Sequence, residues 1–308
     1  MKSLKDLPTL AESLGMPESQ KLLQSFYLRC RMMNLTPTAL QADADRLRYL
    51  LKYTHSRKLE LDALTVRDLQ NYLLSIIDVI SPITVNGRIT VYKTFFKYLY
   101  DEGLIPMNPA SGLHKLREPI RLKDTVTPDE MVRVLTTCNR KTFFGSRDFC
   151  IILLTYDSML RLSELLALKL SNIDLQGRLV KLYGKGRKER YAPFSGKTAK
   201  AIYTYLIKFR SKIEGDLLFP RLNGGQLKRL GGYHIIQKAG KRAGIKLYPH
   251  LLRHSGASQY IRQGGNIAIL SRILGHSSLK TTQIYLHLSG EDLLNNFENL
   301  SPTSGMEF

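Results

Sequence analysis

His250-Leu-Leu-Arg253-His254 is followed by Leu274-Gly-His276 and then by Thr281-Thr-Gln-Ile-Tyr285. A spacing of three places His250 and Arg253 on one face of a helix. Taken singly, His276 reads as a cap or surface histidine, and Tyr285 as a core residue with a wet hydroxyl. Their order along the chain gives them weight. Upstream, Met159-Leu-Arg-Leu-Ser-Glu164 sets Arg161 on an expected helix, with Glu164 three residues on and on the same face. An arginine among apolar residues is as readily a structural ion pair. Between the two stretches the character changes. Arg178-Leu-Val-Lys-Leu-Tyr183 reads as a strand, Gly184-Lys-Gly186 as a turn and Arg190-Tyr-Ala-Pro-Phe194 as a second strand. That turn carries Lys185, with Lys188 close behind.

Charge singles out the same part of the chain. The 308 residues carry 46 Lys/Arg against 26 Asp/Glu, a net charge of +20. Residues 161–253 hold 21 of the basic residues and only 5 of the acidic ones. The basic residues alternate with apolar ones such as Leu179, Val180, Leu182 and Tyr183, the mark of a folded basic face rather than a solvated tail. A balance this basic points to a polyanion, most often nucleic acid. Apolar runs are too short to span a membrane, and Lys2, Lys5, Asp6 and Glu12 interrupt any signal core. Cys30, Cys138 and Cys150 form no C-x-x-C pair, which excludes a disulfide framework and disfavours a zinc ribbon or finger. They read as ordinary thiols in a reducing cytoplasm.

The rest of the chain is expected to be mainly α. Ala44, Leu47, Leu50 and Leu51 form a helical stripe. Thr65 and Asp68 suggest a capping box before Leu69, Tyr72 and Leu73. A third helix carries Ile89, Tyr92, Phe96 and Leu99 and stops near Gly103, before Pro106 and Pro109. Arg46, Arg57, Lys58, Arg88, Lys93 and Lys97 are placed on exposed faces, within reach of phosphates. Residues near 113–125 are polar, basic and without period. Beyond them Thr127, Pro128 and Glu130 signal a fresh helix start. The expected division is a helical body over 15–113, a linker over 114–126 and a second body over 127–300. The fold class is mainly α with a small β-hairpin or sheet (α+β).

For chemistry on a phosphodiester, a metal-dependent nuclease needs several carboxylates around its ions. The basic segment offers only Glu164, Asp174, Glu189, Glu214 and Asp216, with no metal-like spacing. A metal-free route needs a side-chain nucleophile, cations on the non-bridging oxygens and a proton donor for the leaving group. Arg161, Lys185, His250, Arg253, His276 and Tyr285 supply those types in one ordered set.

That ordered set resembles the tyrosine recombinase, or phage integrase, family. Its signature is an early Arg, a Lys in a β-hairpin, His-x-x-Arg, a further His and a Tyr. The resemblance runs through nearly the whole chain, including Phe95-Phe-Lys-Tyr-Leu-Tyr-Asp-Glu-Gly103 and Asn108-Pro109. It is greatest to compact Xer-type recombinases and similarly sized transposon integrases. It implies that residues 15–113 are a core-type DNA-binding domain, and that no arm-site-binding domain precedes them. It also implies that 127–300 is the catalytic domain, with a C-terminal interaction helix carrying Leu293, Leu294, Phe297 and Leu300.

Carried over, Tyr285 is the nucleophile that forms a 3′-phosphotyrosyl bond. Arg161 and Arg253 grip the phosphate, and Lys185 protonates the leaving oxygen. His250 and His276 assist, and Glu164 orients its neighbours. No cofactor, metal or ATP is implied. The implied partners are duplex DNA with paired inverted sites and further copies of the chain in a tetramer. A second recombinase or an activator is left open. The implied location is cytoplasmic, on the nucleoid.

Two departures stand out. Met159 occupies a position where the family often has Gly, and Lys188 competes with Lys185, which matches the family spacing. His254 is as readily a packing residue as a catalytic one. Rival readings are a type IB topoisomerase-like relaxase, acting without site preference, and a non-catalytic DNA-binding protein of the same fold.

Overall fold

The structure, a computed structural model, describes residues 3–118, 124–183, 189–276 and 281–285. The chain divides into two compact units, Met1–Arg121 and Leu122–Phe308.

Unit 1 is helical: α1 (Leu7–Ser13), α2 (Pro17–Met32), α3 (Pro37–Ser56), α4 (Val66–Ile77) and α5 (Pro82–Asp101). Two of its helices open on a hydroxyl residue followed by proline. The Thr36 hydroxyl accepts from the Ala39 amide at the head of α3, and the Ser81 hydroxyl from the Thr84 amide at the head of α5. The side chain relieves one orphan amide, and the proline ring pre-sets φ for the first turn. The Thr65–Asp68 capping box heads α4 as expected. Phe26, Leu47, Leu50, Leu51, Tyr92, Phe95, Phe96 and Leu99 fill the core.

Three details differ from expectation, two in unit 1 and one at the ends of the expected linker. Leu4, Leu7 and Ala11 are fully buried in that core, so the body begins well before residue 15. Their 3-and-4 spacing is an apolar helical stripe that the short segment hid. Arg88 is not on an exposed face. It is buried, donates to the Tyr72 hydroxyl and lies 4.1 Å from the centroid of the Tyr49 ring. The expected linker is also fastened at both of its ends. The Leu116 amide donates to Oδ1 of Asn86 on α5, and the Val126 amide donates to the Ser255 hydroxyl in unit 2.

Unit 2 comprises α6 (Pro128–Thr136), α7 (Phe143–Asp157), α8 (Leu162–Leu166), β1 (Ile173–Asp174), β2 (Leu179–Tyr183), β3 (Glu189–Pro193), α9 (Gly196–Lys208), α10 (Arg229–Arg242), α11 (Pro249–Arg262) and α12 (Ile267–Leu274), then a 3-10 turn at Gln283–Tyr285. The Thr127–Glu130 capping box heads α6. The sheet is antiparallel in the order β1-β2-β3, with Val180 opposite Ala192 and Leu182 opposite Arg190. The two long strands match the hairpin read from the sequence. The two-residue β1 was not anticipated, being too short to show any alternation.

Along β2, Val180 and Leu182 point into the core, where they join Ile151, Leu154, Leu165, Ile202, Tyr205 and Leu252. Cys30, Cys138 and Cys150 are all buried and unpaired with one another. Among the described residues no helix is long and apolar enough to cross a membrane.

α11 carries His250 and Arg253, and its placement depends on a close approach to α7. A Cβ on Gly256 would lie 2.0 Å from the Tyr156 carbonyl oxygen. That contact is with backbone, so it cannot be relieved by a rotamer change. Gly256→Ala is expected to destabilise unit 2 by about 3 kcal/mol, as overpacking against a rigid wall does. Urea unfolding of the two proteins measures it.

Candidate active site

The site starts where α7 ends. Ser158 closes α7, and Met159 then turns the chain with φ +53. This is the left-handed region that glycine enters most easily. The departure noted at this position therefore changes the side chain and keeps a glycine-like backbone. The Met159 side chain is buried with Ala257, Ile261, Leu270 and Leu274. Arg161 follows in an extended conformation as the N-cap of α8, rather than within a helix as expected.

From the N3 position of α8, the Glu164 carboxylate reaches back. Its Oε2 accepts from the Arg161 amide at 3.0 Å and its Oε1 from Arg161 Nη1 at 3.1 Å. Arg190 on β3 completes the cluster, donating from Nη1 to Oε1 at 3.1 Å and from Nη2 to Oε2 at 2.9 Å. Each carboxylate oxygen thus accepts two N–H groups, which saturates the acceptor. The side chains of Glu164 and Arg190 are 15% and 13% exposed, whereas that of Arg161 is 40% exposed. The carboxylate faces inward and the Arg161 fork is presented outward.

Arg253 comes from α11 and is buried. Its Nη1 donates to the Met159 carbonyl and its Nη2 to the Leu274 carbonyl, at 2.5 and 2.8 Å. Among the described residues these two bonds use one hydrogen on each Nη, and a guanidinium carries five N–H groups. α12 ends at Gly275 with φ +64, and the chain turns into His276. The His276 Nδ1 lies 2.9 Å from the Thr282 hydroxyl. The Thr282 carbonyl accepts from the Tyr285 amide at 3.1 Å, so one fully buried threonine serves both groups. The Tyr285 ring lies 5.1 Å from the His254 ring and rests on the Met159–Leu274 cluster.

Arg161, Tyr248, His250, Leu251, Arg253, His254, His276, Thr281 and Tyr285 line one pocket of about 280 Å³. Five of the six residues assigned to catalysis from the sequence therefore meet. Lys185, its neighbour Lys188 and the expected C-terminal helix lie outside the described residues. Glu164 sits behind Arg161. Sequence reasoning missed Tyr248, Thr282 and Arg190. For Arg190 a signal existed: strand alternation puts it on the same inward face as Ala192, an unusual place for a guanidinium.

Electrostatics follow from this packing. Burial lowers the Arg253 pKa to about 10, and the nearby Arg161 charge adds to the effect; the group stays cationic at neutral pH. Burial also lowers His276, helped by Arg253, Arg161 and Arg190, which favours a neutral imidazole. Tyr285 is raised by burial, a shift that Arg253 opposes, so the resting phenol is protonated. At Glu164, burial pushes upward but is outweighed by the hydrogen bonds and charge of Arg190, with help from Arg161; the net shift is downward.

With this geometry in view, comparison with known proteins gives a consistent answer. Residues 124–291 match the phage integrase family. The tyrosine recombinase XerC of Thermodesulfovibrio yellowstonii is 33% identical over 233 residues, covering 73% of this chain and 77% of the relative. The XerC of Bacillus subtilis is 30% identical, covering 71% and 75%. Among solved structures, XerH recombinase aligns with a TM-score of 0.73 at 20% identity, covering 88% of this chain and 81% of that one. The Tn1549 transposon integrase aligns with a TM-score of 0.71 at 19% identity, covering 91% and 99%. The chain belongs to the phage integrase family, the tyrosine-type site-specific recombinases.

Because the Glu164 pKa is depressed by folding, its contribution to stability is complete above the ordinary value of 4.5 and is lost as pH falls through the lower folded value. Glu164→Gln is expected to cost about 3 kcal/mol at neutral pH, since it leaves the largely buried Arg190 guanidinium without its carboxylate. The gap from wild type should narrow in acid. Unfolding free energies measured from pH 7 down to pH 3 check both the size and the sign.

Proposed function

We propose that this chain cuts and rejoins duplex DNA at a defined site through a 3′-phosphotyrosyl intermediate, with Tyr285 as nucleophile. The phenolic oxygen attacks the scissile phosphorus, the bond to the 5′-oxygen breaks, and a free 5′-hydroxyl leaves. A second strand's 5′-hydroxyl reverses the step. Bond energy is held in the phosphotyrosine, so no ATP is needed. The convergence of Arg161, His250, Arg253, His276 and Tyr285 on one pocket supports this reading.

Each group has a role suited to its chemistry. The Arg161 and Arg253 forks match the non-bridging oxygens and act most strongly as charge builds on the pentavalent phosphorus. Both are fixed before DNA arrives, Arg161 by Glu164 and Arg253 by two backbone carbonyls, so little reorganisation is left to the reaction. His250 assists transfer of the phenolic proton. His276, held through Nδ1, turns Nε2 to the phosphate. Lys185 protonates the leaving 5′-oxygen, a role resting on its match to the family's hairpin lysine.

Unit 1, including the Leu4–Ala11 stripe packed into its core, serves as the core-type DNA-binding domain, and 127–300 is the catalytic domain. The DNA site is a pair of inverted elements held by a tetramer. XerH has been solved bound to a palindromic difH substrate, which supports this arrangement here. Work on the nucleoid in the cytoplasm follows from the same reading, in Xer-like resolution or in mobile-element integration and excision.

The test uses nicked duplexes of randomised sequence and recovery of protein-linked DNA after denaturation. Wild type is expected to yield linked DNA sharing a motif, and Tyr285→Phe none. Arg161→Ala and Arg253→Ala should each slow adduct formation by about 10²–10³-fold, the cost of a lost transition-state donor. Linked DNA without a motif would point to a relaxase instead. Absence of adduct from wild type would contradict the proposal.

A further inference from the structure

We propose that Arg190 is a positioning residue of this active site, whose guanidinium fork sets the Arg161 side chain and the His276 turn in register with each other. The inference rests on the recombinase reading of the pocket and extends it to a residue outside the pocket lining. Arg190 has two sets of partners. Through Nη1 and Nη2 it holds both oxygens of Glu164, the same oxygens that hold Arg161. Through Nε it donates to the Ile273 carbonyl at 3.3 Å, in the last turn of α12.

The next turn is built around the same side chain. A Cβ on Gly275 would lie 2.7 Å from Arg190 Nε and 2.9 Å from its Cδ. Gly275 therefore provides both the left-handed φ that ends α12 and the space in which the Arg190 stem lies. His276 is the next residue. α12 also meets Arg253 through the Leu274 carbonyl. Two guanidiniums thus take consecutive carbonyls, Ile273 and Leu274, and each is tied at its other side to the α7–α8 region: Arg253 to Met159, Arg190 to Glu164. Arg253 alone anchors α12 at one carbonyl. The second anchor from β3 resists rotation about the first.

The fork matters here as well as the charge. Three N–H groups of Arg190 reach three separate oxygen acceptors on two elements, which a lysine ammonium cannot reproduce at those positions. Arg190 does not line the pocket; it acts on the lining residues through Glu164 and the α12 end. Its loss should affect the rate of the chemical step more than DNA affinity.

The experiment compares wild type, Arg190→Met and Arg190→Lys. Adduct formation on nicked randomised duplexes is followed at saturating DNA, with affinity measured separately. The His276 ring is titrated by NMR in the DNA-free protein, and thermal unfolding confirms that each variant is folded at the assay temperature. Arg190→Met is expected to slow adduct formation about 10–100-fold with little change in affinity, as loss of an outer-shell partner does. His276 should titrate at higher pH, one of the cations that hold it down being gone. Arg190→Lys should restore the His276 titration and leave most of the rate loss. A folded Arg190→Met with wild-type rate would overturn the proposal, and so would full recovery of rate by lysine. If wild type formed no adduct, the recombinase reading would fall. The DNA-free arm would then decide for positioning: Arg190→Lys keeps the charge but not the fork, so His276 and Arg161 side-chain resonances unchanged from wild type in that variant overturn it, and displaced ones support it.

Discussion

The arrangement of unit 2 depends on a buried guanidinium. Arg253 bonds the carbonyl of Met159, 94 residues upstream, and that of Leu274, 21 residues downstream. Both carbonyls stand at helix ends, where backbone acceptors lack intrahelical partners. A cation there meets an unpaired acceptor and the negative end of a helix dipole at once. Burial of the charge is thereby offset, and three segments distant in sequence are held at one point. Met159 turns the chain into Arg161, and Leu274 leads through Gly275 into His276. The residue assigned to the phosphate is thus also the one that assembles the pocket around it.

Charge in the pocket is unbalanced by design. Among the described residues Glu164 is the carboxylate that binds Arg161 and Arg190, and those two fill its acceptor capacity. Among the described residues Arg253 donates to two neutral carbonyls and has no carboxylate hydrogen-bonded to it. On the proposed reading, a scissile phosphate would bring the missing negative charge, and a pentavalent phosphorus more. The same field lowers His276 and opposes the burial that raises Tyr285. Tyr285 lies against a small apolar cluster and the His254 ring, and its backbone is tied to Thr282. His276 is tied to the same threonine by its side chain.

Much of this was legible in the sequence, for reasons that can be traced to particular residues. The Thr65–Asp68 and Thr127–Glu130 boxes are local chemistry and were read at the right positions. The alternation in Leu179–Tyr183 gave the strand and its buried face. The ordered motif gave five residues that meet in one pocket. What escaped was non-local or too short. Leu4–Ala11 packs because of partners elsewhere in unit 1. Arg88 looked like a surface cation and is held by Tyr49 and Tyr72 from other helices. Arg161 caps α8 rather than lying within it, because Glu164 reaches back to its amide. Arg190 became meaningful only when β3 was placed beside α8 and α12.

The proposed strand transfer depends above all on the identity of the nucleophile. DNA-linked protein recovered under denaturing conditions can be digested with protease and nuclease, and the nucleotide-bearing peptide sequenced by mass spectrometry. The expected result is a single modified peptide with the 3′-phosphate esterified to the Tyr285 oxygen. A nucleotide on another residue of the same pocket, such as Tyr248 or His254, would contradict the assignment.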